Sequence, residues 1–416
     1  MSVAVISLAA LLVALVLSMG SRINVGLIAI AFAWLIGVYL ADLSAATVIG
    51  GFPTSLFLTL AGVTLLFAIA ECNGTLACLA GYAMHLIRGN RLLMPLLFFV
   101  ITCLLSAAGP GAISASALII PMAMSIGMKL RLPPLLVALM VANGGNAGNL
   151  SPVSTVGIIA NSRMALAGIT DEAFKVFFAN FAAHLLVSVA AYAWFLVRDR
   201  PQQQDAVQLD TRQQPMDKAQ RLTTAVLVCW IIGVIGLSLN VGLSAFTVAC
   251  VLLVCRAAAE REVIASMPWP VMLMVGGVAT LVALLDQTGG MDLFTALLSS
   301  LSTPNTINGV IAFITGAISA YSSTSGVVMP AFLPTIPDLV ENLGGGNPLA
   351  IALSINVGSS LVDVSPISTI GAICLATVAD PEQSRRVFVQ MLAWGLSMTV
   401  VGALLCQFLA TALAIQ

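Results

Sequence analysis

The chain has 416 residues, of which 60% are hydrophobic and only 8% charged, and its mean hydropathy is +1.07. That balance excludes an ordinary soluble domain, and a net charge of -1 with basic residues clustered only in short loops excludes a nucleic-acid surface. Eight cysteines stand singly, with no C-x-x-C pair and no histidine at metal-ligand spacing, which excludes a disulfide framework and a zinc site.

A bilayer core about 30 Å thick takes roughly 20 apolar residues per helical span. The first such run, Val3 to Met19, has no Lys or Arg before it and no small-x-small cleavage site after it, so it reads as a span and not as a signal peptide. Spans follow at 24–41 and 54–71, then an amphipathic arm to Arg91. Residues 92–128 form a helical pair broken at Ala108-Gly-Pro-Gly-Ala112. Its flanks, Arg88 with Arg91 and Lys129 with Arg131, are both basic, which predicts a re-entrant hairpin entering and leaving on one side. A span at 134–168, interrupted at Asn143-Gly-Gly-Asn-Ala-Gly-Asn149, and another at 173–197 complete the unit. The polar, Gln-rich stretch 198–221, bracketed by proline, reads as a solvated linker. Residues 222–416 repeat the plan, with a hairpin at 306–343 and a broken helix at 348–379.

The duplication is visible in the sequence itself. Asn24-Val-Gly-Leu27 returns as Asn240-Val-Gly-Leu243, and Pro53, Gly62-Val63, Glu71 and Gly74 return as Pro268, Gly277-Val278, Asp286 and Gly289. Ser151-Pro-Val-Ser-Thr-Val-Gly157 returns as Ser365-Pro-Ile-Ser-Thr-Ile-Gly371. Offsets of 216, 215 and 214 residues in the same order mark a tandem repeat. Five crossings plus one hairpin is an odd number, so the second copy must insert upside down. The expected fold is therefore an all-α polytopic membrane protein of two inverted repeats, each of five transmembrane helices plus one re-entrant hairpin. With a cytoplasmic linker, every Lys and Arg except Arg163 and Lys175 falls on the inner side, and both termini face outward.

No Lys or Arg is expected inside a span, and His85 and His184 are isolated, which leaves little for acid–base or nucleophilic catalysis. No phosphate loop, H-E-x-x-H or G-x-S-x-G motif is present, so an ATP-driven pump and a hydrolase find no support. The informative sequence is polar and lies mid-span, at Asn143 to Thr155 and at Asn356 to Thr369, where lipid cannot satisfy an unwound backbone. Ser151-Pro152 and Ser365-Pro366 read as the caps that restart each helix. A half-helix N-terminus favours an anion, and the unwound stretch favours a small cation.

Candidate substrate ligands are Gly111, Ser114 and Ser116 at the first hairpin tip, beside Gly109 and Pro110, and Ser322, Ser323, Thr324 and Ser325 at the second. The breaks add Asn146, Ser151, Ser154 and Thr155, and Ser365, Ser368 and Thr369. Candidates for cation or proton coupling are Asn143, Asn149, Asn356, Ser360 and Asp363, the last being the one acidic residue placed deep in the membrane. Scattered polar residues such as Ser188 read as packing contacts. His184 reads as packing ahead of proton relay, and Glu71 and Asp286 read as solvated span ends. No cofactor is expected, and no metal beyond a bound sodium.

The Pro-x-x-Leu-Phe-Leu run at Pro53, the Gly-rich arm beyond it, Ala320-Tyr-Ser-Ser-Thr-Ser-Gly326 and the paired Ser-Pro-x-Ser-Thr breaks resemble the MatC-type malonate and dicarboxylate carriers. These belong to the ion-transporter superfamily, alongside the divalent anion:sodium symporters. The resemblance implies a small dicarboxylate substrate, a bacterial-type inner membrane and a homodimer working by an elevator motion. In the sodium symporters a Ser-Asn-Thr signature marks each hairpin tip. Ser322-Ser323-Thr324 is similar to it, whereas the first tip departs as Gly109-Pro-Gly-Ala112. The rivals are a cation/proton antiporter or oxyanion extruder of the same superfamily, and an intramembrane enzyme, for which no paired acid–base groups are visible.

Overall fold

The computed structural model describes residues 2–21, 23–85, 90–198, 215–237, 239–320, 323–366, 368–378 and 380–415. Within them the chain is wholly helical. The first half runs α1 (Val3–Ser21), α2 (Val25–Tyr39), α3 (Ala45–Gly50), α4 (Thr54–Cys72), α5 (Thr75–His85), α6 (Met94–Ala108), α7 (Gly111–Lys129), α8 (Pro134–Gly148), α9 (Thr155–Leu166) and α10 (Ala173–Arg198). The second half runs α11 (Lys218–Leu237), α12 (Val241–Val254), α13 (Glu260–Ser266), α14 (Trp269–Gln287), α15 (Gly290–Ser300) and α16 (Ile307–Ser319). A π-helical turn at Thr324–Val328 leads into α17 (Met329–Phe332) and α18 (Ile336–Leu343), then α19 (Pro348–Val362), α20 (Thr369–Ala376), α21 (Pro381–Leu405) and α22 (Thr411–Ile415). Five helical segments, at Thr54–Cys72, Gly111–Lys129, Ala173–Val197, Trp269–Gln287 and Glu382–Ala410, are long and apolar enough to cross a bilayer. Residues 199–214 of the expected linker, with Arg200 and Arg212, lie outside the described residues, as do Arg22, Arg88 and Ser322.

Equivalent positions in the halves adopt the same local structure. Asn24 and Asn240 cap α2 and α12, their side-chain oxygens accepting from Gly26 N and Leu243 N at 2.8 and 3.0 Å. Asp42 and Arg256 both take positive φ after those helices, and Gly74 and Gly289 do so after α4 and α14.

The halves interlock through glycine. A Cβ on Gly277 of α14 would lie 2.0 Å from Gly26 O of α2, and one on Gly62 of α4 would lie 2.3 Å from Gly242 O of α12. Each is the other's counterpart, and in both the missing side chain lets two backbones touch. Glycines also seat α8 against α6. A Cβ on Gly144 would meet Phe99 O at 2.4 Å, and one on Gly148 would meet Cys103 O at 2.2 Å. A Cβ on Gly358 of α19 would likewise meet Ala312 of α16 at 2.7 Å.

These contacts correct the expected breaks. Helix α8 continues through Asn143 to Gly148 and α19 through Asn356 to Val362, so among the described residues the non-helical stretches are only 149–154 and 363–366 with Ser368. The glycines that suggested unwinding are packing glycines, and the Asn143 side chain folds back onto its own helix, Nδ2 donating to Leu139 O at 2.9 Å. The restart is also displaced. Ser154 and Ser368, not Ser151 and Ser365, are the N-caps, accepting from Gly157 N and Gly371 N at 3.1 and 3.2 Å. The expectation that spans hold no Lys or Arg is corrected by Arg163. It sits in the last turn of α9, where helix C-terminal carbonyls favour a cation, is 6% exposed, and its Nε and Nη2 have no hydrogen-bond partner.

Candidate functional site

Both breaks are built the same way. The Ser154 hydroxyl bonds Asn149 O and, at 2.9 Å, Ser151 O, while the Ser368 hydroxyl bonds Asp363 O at 2.6 Å and Ser365 O at 2.7 Å. Each loop is folded so tightly that a Cβ on Gly157 or Gly371 would stand about 2 Å from Ser151 O or Ser365 O. The result is a half-helix whose positive N-terminal end begins inside the protein, at α9 and again at α20.

A hairpin tip meets each break. In the first half Asn149 Oδ1 accepts from Ala112 N at 2.9 Å, and Thr155 donates to Gly109 O through both N and Oγ1 at 3.0 Å. Gly109 is required there, because a Cβ would enter the Phe67 ring at 1.8 Å, and Gly111 turns the chain with φ of 78°. In the second half Thr324 bonds the Ser319 hydroxyl and, at 3.5 Å, Ser359 O, and it faces the cavity together with Asp363. Ser323 caps the π-helical turn, its Oγ accepting from Gly326 N at 3.0 Å. Asn149 and Asp363 thus occupy matching positions, each lining the cavity beside its own tip.

Between the tips lies a cavity of about 430 Å³. Of the sequence candidates it gathers Gly111, Ser114, Asn149 and Thr155 from the first half, and Ser323, Thr324, Ser325, Asp363, Ser368 and Thr369 from the second. Ser151, Ser154 and Ser365 shape the breaks from behind. Ser116, Asn143, Asn146, Asn356 and Ser360 are buried elsewhere and do not line it. Among the described residues no Lys or Arg lines the cavity, and Asp363 is the one ionisable side chain that does.

Sequence reasoning missed two contributors. Asn24 lines the rim and bridges to α14, its Nδ2 donating to Pro270 O at 2.7 Å; its recurrence as Asn240 was the available signal. Asn180 of α10 ties the ends of α8 and α19 together, donating to Asn146 O at 2.7 Å and accepting from Ser360 Oγ at 3.0 Å. It sits in an otherwise plain apolar span with no repeat partner to mark it.

The fold is similar to that of the YdaH transporter of Alcanivorax borkumensis, with a TM-score of 0.58 at 17% identity over 88% of this chain and 87% of that one. It is also similar to MtrF of Neisseria gonorrhoeae, described as illuminating a class of antimetabolite efflux pumps, with a TM-score of 0.57 at 15% identity over 87% and 82%. No curated protein matches the sequence significantly. Residues 1–149 match the family model of the dicarboxylate carrier protein MatC N-terminus, as the sequence motifs led one to expect.

Proposed function

We propose that this chain is a secondary active carrier that imports a small dicarboxylate, malonate or a C4 acid, coupled to sodium or protons. One observation carries the reading: two half-helix N-termini and two hairpin tips converge on a cavity rich in hydroxyls and amides, with a lone carboxylate and no basic side chain among the described residues. A dianion entering it has only helix ends, hydroxyls and a co-bound positive charge to offset it. That requirement favours cation coupling over simple uniport. In this reading Gly111, Ser114, Thr155, Ser323, Thr324, Ser325, Ser368 and Thr369 hold the substrate, and Asn149 and Asp363 hold the coupling cation or proton.

Paired caps, paired left-handed turns and the crossed glycine contacts, all at nearly one offset, support two inverted repeats in residues 1–197 and 222–416. Each is read as five transmembrane helices plus a re-entrant hairpin, joined by a cytoplasmic linker in an elevator-type fold. The assembly is read as a homodimer in a bacterial-type inner membrane. Pro268 and Asn24, which line the cavity, lie at span ends that charge asymmetry assigns to the cytoplasm, which supports reading the cavity as facing that side.

The test is uptake of labelled malonate and C4-dicarboxylates into proteoliposomes under an imposed sodium or proton gradient. Absence of uptake with either gradient would falsify the proposal. A second reading, extrusion in exchange for cations, draws on Asp363 in the cavity and on the efflux described for MtrF. Substrate counterflow out of preloaded vesicles, driven by inward protons, separates it from import.

A further inference from the structure

Away from the cavity lining, α8, α10 and α19 share a buried seam. Each contributes two polar residues one turn apart, Asn143 with Asn146, Asn180 with His184, and Asn356 with Ser360, all essentially without solvent exposure. Three hydrogen bonds join the helices: His184 Nδ1 with Asn143 Oδ1 at 3.0 Å, Asn180 Nδ2 to Asn146 O, and Ser360 Oγ to Asn180 Oδ1.

The directions of these bonds are set by backbone carbonyls. Because Asn143 Nδ2 donates to Leu139 O, it is the amide oxygen that faces His184, and the imidazole must donate through Nδ1. The neutral ring then presents Nε2 as an acceptor, and nothing donates to it. Asn146 Oδ1 and Asn356 Oδ1 also lack donors. The single proton of Ser360 is claimed by two acceptors, Asn180 Oδ1 and Asn356 O. Against this surplus stands one unmatched amide donor, Asn146 Nδ2, while the Ser188 hydroxyl, one turn beyond His184, counts on both sides. Buried polar atoms are normally satisfied, so a seam rich in bare acceptors calls for an occupant that is positive. The helix ends agree: Asn146 and Ser360 lie in the last turns of α8 and α19, whose negative termini favour a cation.

We infer that this seam binds an alkali cation, sodium in the first instance, with Asn146 Oδ1 and Asn356 Oδ1 as oxygen ligands. Asn180, Ser360 and the Asn143–His184 pair are positioning residues. The site is additional to the cavity, which none of these six residues lines. A cation there fixes the end of α8 against the end of α19 and so sets both breaks in register for the substrate. Only this coupling role rests on the carrier reading; binding itself does not.

The test uses the purified full chain in detergent without substrate, following the thermal unfolding midpoint against sodium at ionic strength held constant with choline. Asp363→Asn provides a background in which the cavity carboxylate contributes nothing. Saturable stabilisation by sodium is expected to persist there. Adding Asn146→Leu should raise the half-saturating sodium by about tenfold or more, as loss of a ligand or its support does elsewhere. Asn146→Asp keeps the shape, adds a negative ligand and should lower it, which guards against a merely misfolded variant. The inference is overturned if stabilisation vanishes with Asp363→Asn alone, or if neither Asn146 variant moves the sodium curve. It is also overturned if the midpoint follows pH and not sodium and His184→Gln abolishes that response, which would assign the seam to a proton. A sodium shift without any dicarboxylate uptake would leave the seam standing and remove the carrier reading.

Discussion

Replacing Asp363 by Asn should make the empty carrier a better binder of dianions when no sodium is present. The substitution keeps the side chain's shape and copies Asn149, its counterpart in the first half. A sphere of the cavity's 430 Å³ has a radius of about 5 Å, so a substrate carboxylate near its centre feels an ionised Asp363 at about that distance, worth roughly 3 kcal/mol of repulsion at an effective dielectric near 20. At 1.4 kcal/mol per decade, removing it tightens binding by about a hundredfold. The assay is calorimetric titration of malonate into purified protein in alkaline, sodium-free buffer, where carboxylates are ionised, with a parallel titration in sodium. The variant and the parent should differ by about two orders of magnitude without sodium and converge with it. Equal affinities in the sodium-free medium would refute the idea that Asp363 faces the substrate as a charge awaiting neutralisation.

Three further substitutions test the framework around the site. Gly109→Ala drives a methyl into the Phe67 ring and should cost about 2–4 kcal/mol, read as a lowered unfolding midpoint; Phe67→Leu in the same chain should recover much of it. Ser368→Ala removes the cap of α20 and should cost about 1–2 kcal/mol, whereas Ser368→Thr keeps the hydroxyl and most of the stability. Gly277→Ala and Gly62→Ala strike the two crossed contacts and should destabilise by similar amounts, about 1–3 kcal/mol each. A neutral result at either, in the same thermal assay, would show that its backbones are not held together there.

The elements most legible from sequence were those set by local chemistry. Apolar runs bounded by Asn24, Pro53 and Pro268 fall within a few residues of α2, α4 and α14. The glycine-proline interruption marked the first tip, and the duplicated Ser-Pro-x-Ser-Thr marked the breaks. Details set by contact between distant residues were not legible. Gly144 and Gly148 look like helix breakers until Phe99 and Cys103 are seen against them. Ser151 and Ser154 are equally good caps in isolation, and only the loop back to Asn149 O selects the second. Asn143 and Asn356 shared a polar run with true lining residues, yet the Asn143 side chain meets His184 of α10 and that of Asn356 meets Met164 of α9 instead. Arg163 carried no local sign that neighbouring helices would cover it.

The crossed glycine contacts bear on how the chain is made. Helix α4 leaves the ribosome with a groove at Gly62 whose occupant, Gly242 of α12, is synthesised 180 residues later, and Gly26 of α2 waits 251 residues for Gly277 of α14. The first half therefore enters the bilayer with two unfilled backbone grooves and completes its packing only when the second half arrives. Such non-local pairing is slow to form. Genetic separation of the chain within 199–214 should accordingly give two fragments that are short-lived alone and persist when expressed together.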